Sequence, residues 1–179
     1  PRPRRREPIT PAVAVDGDYR IPPWARRLEA YWTVGEAGAH QALERFLDRH
    51  IADYPEKRDI PARDATSRLS PHLRFGEISP RQVWHAAIAI AHREPAVAGP
   101  IEKFLSELGW RDFNYHQLYH RDDIATVPMQ SKFADLRWRE APAELAAWQA
   151  GRTGIPIVDA GMRELWATGT MHNRVRMLT

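Results

Sequence analysis

Three stretches of this chain carry side chains that could do chemistry. The first is Thr66-Ser67-Arg68-Leu69-Ser70, just ahead of Pro71. Clustered hydroxyls and free main-chain N–H groups before a helical turn can cradle a phosphate or diphosphate, and the same residue types also make an ordinary cap and turn. The second stretch, residues 104–116, reads Phe-Leu-Ser-Glu-Leu-Gly-Trp-Arg-Asp-Phe-Asn-Tyr-His. On a helix it sets Phe104, Glu107, Arg111 and Asn114 on one face with Trp110 at the edge, and Leu105, Leu108 and Phe113 on the other side. A carboxylate, a guanidinium and an indole together make either a solvated edge or a pocket wall. The third stretch, residues 171–177, puts Asn173, Arg176 and Met177 on one helical face while Arg174 points elsewhere. His172 has no second histidine or carboxylate at ligand spacing on its helix, so no metal site is read there.

The elements that would hold these residues read as helices. From Glu36 the apolar positions Leu43, Phe46, Leu47, Ile51 and Tyr54 recur at steps of three and four, and Pro55 is expected to close that helix. Residues 55–71 read as a loop. Ser79 is an N-cap with Pro80 at the first helical position, opening a helix through Val83, Trp84, Ala87, Ile88 and Ala91. Pro100 is expected to start another, through Ile101, Phe104, Leu105 and Leu108 to about Tyr119. Residues 121–140 read as irregular. A short helix from Ala143 to Gln149 ends at Gly151, Pro156 opens one that Gly169 stops, and His172 begins a last one. With no period-2 strand and no internal repeat, the expected fold class is all-α.

Composition narrows the possibilities. The 179 residues, 43% of them hydrophobic, suit one domain or one domain with a linker. The chain has no cysteine, which excludes disulfides, thiolate catalysis and Cys-ligated zinc or iron–sulfur sites. No apolar run approaches the roughly 18 residues of a membrane-spanning helix. Residues 1–32 read as an Arg/Pro-rich linker and approach segment, since Arg2, Arg4, Arg5 and Arg6 repel one another; residues 33–179 form the domain proper. The linker suits a junction to an upstream domain or a nucleic-acid arm, and it is not a secretory signal. Net charge is +3, and only Lys57, Lys103 and Lys132 of the 26 basic residues are lysine. Arginine matches phosphate with a planar fork and stacks on rings, although a GC-rich genome produces the same bias. The seven tryptophans suit stacking, electron transfer or plain packing.

Five segments, taken in order, resemble the flavin-binding helical domain of the photolyase/cryptochrome family. They are Thr66-Ser67-Arg68-Leu69-Ser70-Pro71, Gly76-Glu77-Ile78-Ser79-Pro80-Arg81, Glu107-Leu108-Gly109-Trp110-Arg111-Asp112-Phe113, residues 153–163 beginning Thr153-Gly154-Ile155-Pro156, and Met171-His172-Asn173-Arg174-Val175-Arg176-Met177. The resemblance runs from about Trp32 to Thr179. It implies a domain that holds FAD folded into a U. Tyr54 would touch the flavin nucleotide. Thr66, Ser67, Arg68, Leu69 and Ser70 would bind its diphosphate, with Arg111 beside the phosphates. Phe104, where the family often has Trp, would lie beside the flavin.

The same resemblance implies a cavity for a flipped-out DNA lesion. Glu107, Trp110 and Asn114 would line one wall, with Glu107 hydrogen-bonded to pyrimidine carbonyls and Trp110 stacked on the dimer. Asn173, Arg174 and Met177 would form the other wall, and Arg58 would hold backbone phosphate. Burial is expected to outweigh nearby Arg111 and keep a proton on Glu107 once a lesion expels water. Relatives that repair (6-4) photoproducts carry histidines where this chain has Asn173 and Met177. The expected activity is therefore light-driven repair of cyclobutane pyrimidine dimers, in the microbial branch.

Trp138 matches the outermost of three electron-relay tryptophans and is expected near the surface, with packing on Trp148 as the plain alternative. Thr170 stands where relatives often have Trp. The resemblance further implies an upstream antenna domain with a chromophore of unspecified identity, and flavin and relay residues beyond Thr179, so the chain reads as a fragment. The implied partner is damaged DNA, the implied state a monomer in the cytoplasm, with no membrane. A cryptochrome that binds FAD without repair is the alternative, and a flavin-free helical DNA-binding module is a third.

Overall fold

The computed structural model describes residues 21–179. The four N-terminal arginines of the expected linker lie outside the described residues. Eight α-helices follow in chain order: α1 Glu36–Arg49, α2 Tyr54–Lys57, α3 Ser70–Phe75, α4 Pro80–Arg93, α5 Ala98–His120, α6 Pro142–Gln149, α7 Pro156–Thr168 and α8 Asn173–Arg176. Among the described residues there is no strand, so the fold is all-α as the patterning implied.

The larger core forms where three amphipathic faces meet. α1 contributes Ala39, Leu43, Phe46 and Leu47, α4 contributes Val83 and Ala87, and α5 contributes Ile101, Phe104, Leu105 and Leu108. The spacing of three and four turns each set to one side of its helix, so burying it requires no polar main-chain group to go unpaired. Leu69 and Ile78 reach the same core from the segments flanking α3. A capping box starts α4: the Ser79 side chain accepts from Gln82 N–H, and the Gln82 side chain answers to the Ser79 main chain. A smaller core joins Val158 and Met162 of α7 to Met171 and Val175, with Trp148 of α6 against it. Gly169, at φ +79, gives α7 the left-handed C-cap that releases the chain toward α8.

Several boundaries differ from expectation. Pro55 does not close the first helix. α1 ends at Arg49, and Pro55 sits in the first turn of α2, where its missing N–H costs nothing. Ile51 and Tyr54 still join the core, but from beyond the helix end. α5 begins at Ala98, ahead of Pro100, after a 3-10 turn at Pro95–Val97. On the side of α5 that carries Leu105 and Leu108, Phe113 is 47% exposed, because the buried stripe stops at Leu108. Within the expected approach segment, Arg26–Tyr31 forms a 3-10 turn that docks on α7. Trp32 Nε1 donates to the Thr168 carbonyl at 2.6 Å, and the Arg27 guanidinium lies 3.9 Å over the Trp166 ring.

Candidate functional site

Two clusters emerge on this frame. The first grows from an aromatic triad in the larger core. Tyr54 meets Phe46 and Phe104 edge-on at centroid distances of 5.4 and 5.7 Å, and Phe46 and Phe104 lie 4.7 Å apart. Tyr54 and Phe104 are both buried in the larger core. Burial pushes the Tyr54 phenol up to about 12, against the opposing pull of Arg58, so it stays protonated. Its oxygen accepts from Arg58 Nη1 at 3.0 Å.

Arg58 is the hinge of this cluster. Its side chain, only 14% exposed, donates from Nη1 to Glu107 Oε1 at 2.5 Å and lies 3.5 Å from Asp59. The ion-pair partner of Glu107 is Arg58, which the packing of α2 on α5 brings to it. Arg58 is turned inward to this carboxylate and the Tyr54 phenol. Arg111 instead stacks 4.6 Å over Tyr115 and approaches Asp112 at 3.5 Å.

α8 closes the cluster from the other side. Arg174 makes a two-pronged ion pair with Asp59, Nε to Oδ1 at 2.8 Å and Nη2 to Oδ2 at 2.7 Å. That pair holds the Asp59 carboxyl below its usual range, the Arg174 hydrogen bond being the largest cause. His172 caps α8. Its Nδ1 accepts from Arg174 N–H at 3.2 Å, which leaves Nε2–H to donate to the Arg58 carbonyl at 3.0 Å. Asn173 and Arg174 on this short helix and Met177 at its C-cap are all exposed, as are Trp110 and Asn114 on α5. Trp110 packs edge-on against Phe113 at 5.8 Å. Asp59 had no role in the sequence reading, and His172 entered it only as the start of the last helix, without a metal. Asp59 is next to Arg58 in the chain, but its partnership with Arg174 crosses the fold.

The second cluster is the loop before α3. Arg68 has φ +53, the one positive value among the described non-glycine residues. This turn sends Leu69 into the larger core, where it is 1% exposed, and leaves Thr66 and Ser67 half-buried on the surface above it. Ser67 Oγ accepts from Leu69 N–H at 3.4 Å. Among the described residues none accepts from the main-chain N–H of Thr66, Arg68 or Ser70. Successive N–H groups around a left-handed residue form an anion-binding concavity. The loop's base is pinned by His72 Nδ1 and Glu77 Oε2, 2.5 Å apart, and this bond holds the Glu77 carboxyl below its usual range. A cleft of about 240 Å³ opens beside the loop, lined by Trp32, Gln41, Arg45, Asp64, Arg68 and His72. Hydroxyls, free N–H groups and arginine on the aromatic core that Leu69 shares with Tyr54 and Phe104 fit the diphosphate and ring system of a dinucleotide such as FAD.

The remaining expected site residue stands apart: Trp138 is 85% exposed in the irregular stretch before α6. No ring contact joins it to Trp148 among the described residues. The described residues also hold no group of three or more His, Asp or Glu arranged to bind a metal ion.

Comparison with known proteins matches residues 104–179 to the family model described as the FAD binding domain of DNA photolyase. The chain is similar to the deoxyribodipyrimidine photo-lyase of Agrobacterium fabrum, 46% identical over 157 residues, covering 88% of this chain and 32% of that protein. It is also similar to the Escherichia coli protein of the same name, 41% identical over 151 residues and covering 84% of this chain and 32% of that one. In three dimensions it resembles a bacterial class III photolyase from Agrobacterium tumefaciens, with a TM-score of 0.83 at 46% identity, covering 88% of this chain and 32% of that one. A Synechocystis cryptochrome gives a TM-score of 0.73 at 30% identity, covering 81% of this chain and 30% of that one. The chain thus spans about a third of the length of the relatives it matches.

Proposed function

The chain belongs to the photolyase/cryptochrome family, and on that premise we propose that the protein containing it uses FAD and light to split cyclobutane pyrimidine dimers in DNA. The observation that carries this reading is the convergence of Arg58, Asp59, Glu107 and Arg174 beside the buried Tyr54–Phe104 rings. A carboxylate framed by guanidinium groups over an aromatic base suits a polar, flat, anionic-backbone ligand.

Residues 66–70 would hold the FAD diphosphate, with Arg111 nearby and Tyr54 and Phe104 backing the ring system. Bound there, the flavin supplies the one-electron, light-driven chemistry that opens the cyclobutane ring. The protein's own residues do the binding and positioning. A base must leave the duplex stack to be worked on, and exposed Trp110 offers it a stacking face. Arg58 donates to Glu107 Oε1, and the other oxygen, Oε2, would hydrogen-bond the polar edge of a pyrimidine ring. Asn173 and Met177 would form the opposite wall, and Arg174 would take backbone phosphate.

The residues of the second wall favour ring splitting over (6-4) repair. Asn173 and Met177 stand where relatives that repair (6-4) photoproducts carry histidines, and neither side chain can shuttle a proton, which cyclobutane opening does not need. The same reading sets the protein on DNA in the cytoplasm as a monomer, with an antenna chromophore in a further domain. No described helix is long and apolar enough to cross a membrane. The likeness to a cryptochrome makes flavin binding without repair the second reading.

Arg174→Ala tests the DNA contact. It should weaken binding of dimer-containing duplex and reduce the steepness of log affinity against log salt by about 0.9, the counterion share of one phosphate contact. An unchanged slope removes Arg174 from the DNA interface.

A further inference from the structure

Arg174 reaches Asp59 with only one edge of its guanidinium. Nε and Nη2 donate to the two carboxylate oxygens at 2.8 and 2.7 Å. A guanidinium carries five N–H donors in a rigid plane, and the edge formed by Nη1 and the second Nη2 hydrogen is a separate fork of the same shape. Among the described residues that outer edge meets only the Met177 sulfur, a weak acceptor, 3.6 Å from Nη1. Asp59 is itself fixed from behind, with Arg58 Nε 3.5 Å from its Oδ1. The main chain of Arg174 is fixed as well, through its N–H to His172 and from His172 to the Arg58 carbonyl. Side chain and main chain are thus tied to the α2 end at two independent points.

From this geometry we infer that Asp59 is a positioning residue: it locks the Arg174 guanidinium with its inner edge so that the outer edge is presented, already oriented, to a DNA phosphate. The inference rests on the proposed contact between Arg174 and DNA. It has a sign that simple electrostatics does not share. Asp59 is a negative charge beside a phosphate-binding arginine, so charge alone requires that neutralising it raise DNA affinity. Positioning requires the opposite, because a freed arginine must lose its rotamer freedom on binding. Asparagine keeps the size of Asp59 but can accept only with one atom and turns an N–H against the other donor.

The experiment measures affinity for a dimer-containing duplex in wild type, Asp59→Asn, Arg174→Ala and the double variant. Asp59→Asn should lower affinity about fivefold, the order expected from freeing one long side chain. In the Arg174→Ala background the same change should cause no fall. A rise or no change with Arg174 present, or equal falls in both backgrounds, overturns the inference, the last marking a merely structural role. A second readout needs no DNA. The Nε–H resonance of Arg174 should be sharp and slow to exchange in wild type and broadened in Asp59→Asn; an unchanged resonance overturns the positioning role. If Arg174→Ala leaves DNA affinity intact while that resonance does respond to Asp59→Asn, the positioning stands and the DNA contact falls.

Discussion

At the scale of single residues, Glu107 shows how a neighbour decides a chemical role. Its Oε1 accepts from Arg58, and under the proposed function Oε2 would meet the polar edge of a pyrimidine. Glu107→Ala removes that acceptor and leaves Arg58 without its closest partner. The expected result is a lower splitting yield per absorbed photon at saturating lesion, with a smaller loss of lesion affinity. Glu107→Gln keeps an acceptor oxygen and should be milder than alanine. Equal yields in wild type and Glu107→Ala would reduce Glu107 to a lining residue. The sequence singled out Glu107, since a carboxylate one turn from Phe104 and Trp110 is visible in the helical repeat. It pointed to Arg111 as the nearby cation because helical spacing reports only neighbours on the same helix. Arg58 lies 49 residues away and arrives through the packing of α2 on α5. Asp59 went unnoticed for the same reason, its partner being 115 positions distant.

At the scale of elements, the helices themselves were largely legible. Apolar spacing located α1, α4 and α5, the Ser79–Pro80 cap marked the start of α4, and Gly169 marked the end of α7. Boundaries at Pro55 and Pro100 were not, because a proline fits the first turn of a helix as readily as it ends one. The α7–α8 contact was also hidden, and it is what places Arg174. A Cβ built on Gly161 would stand 2.3 Å from Val175 Cγ1, and Val175 is a buried, β-branched side chain with little room to rotate. Gly161→Ala should therefore destabilise the protein: overpacking costs about 1–3 kcal/mol, more than the roughly 1 kcal/mol that alanine gains over glycine in a helix. Denaturant unfolding checks this, and a variant as stable as wild type would mean that α8 can shift freely.

At the scale of the whole molecule, the two cores meet through polar ties, Trp32 to Thr168 at one end and Arg174 to Asp59 at the other. The candidate DNA surface lies across the second tie, so repair would depend on how the smaller core is held to the larger. The proposed relay role of Trp138 belongs to this scale, because electron delivery to a flavin would span the molecule. At 85% exposed it is accessible to a dissolved reductant, as an outer relay member must be. Trp138→Phe should slow photoreduction of oxidised flavin several-fold while leaving repair by already reduced protein nearly unchanged. Normal photoreduction in that variant would remove Trp138 from the relay. The most direct measurement of the central claim follows dimer content in a defined thymine-dimer oligonucleotide. The FAD-loaded, reduced protein is mixed with it and exposed to blue light, with a dark control. The account predicts loss of dimers and return of intact thymines only in the light. Dimers that stay bound yet intact under illumination would contradict it and leave a flavoprotein that binds DNA without repairing it.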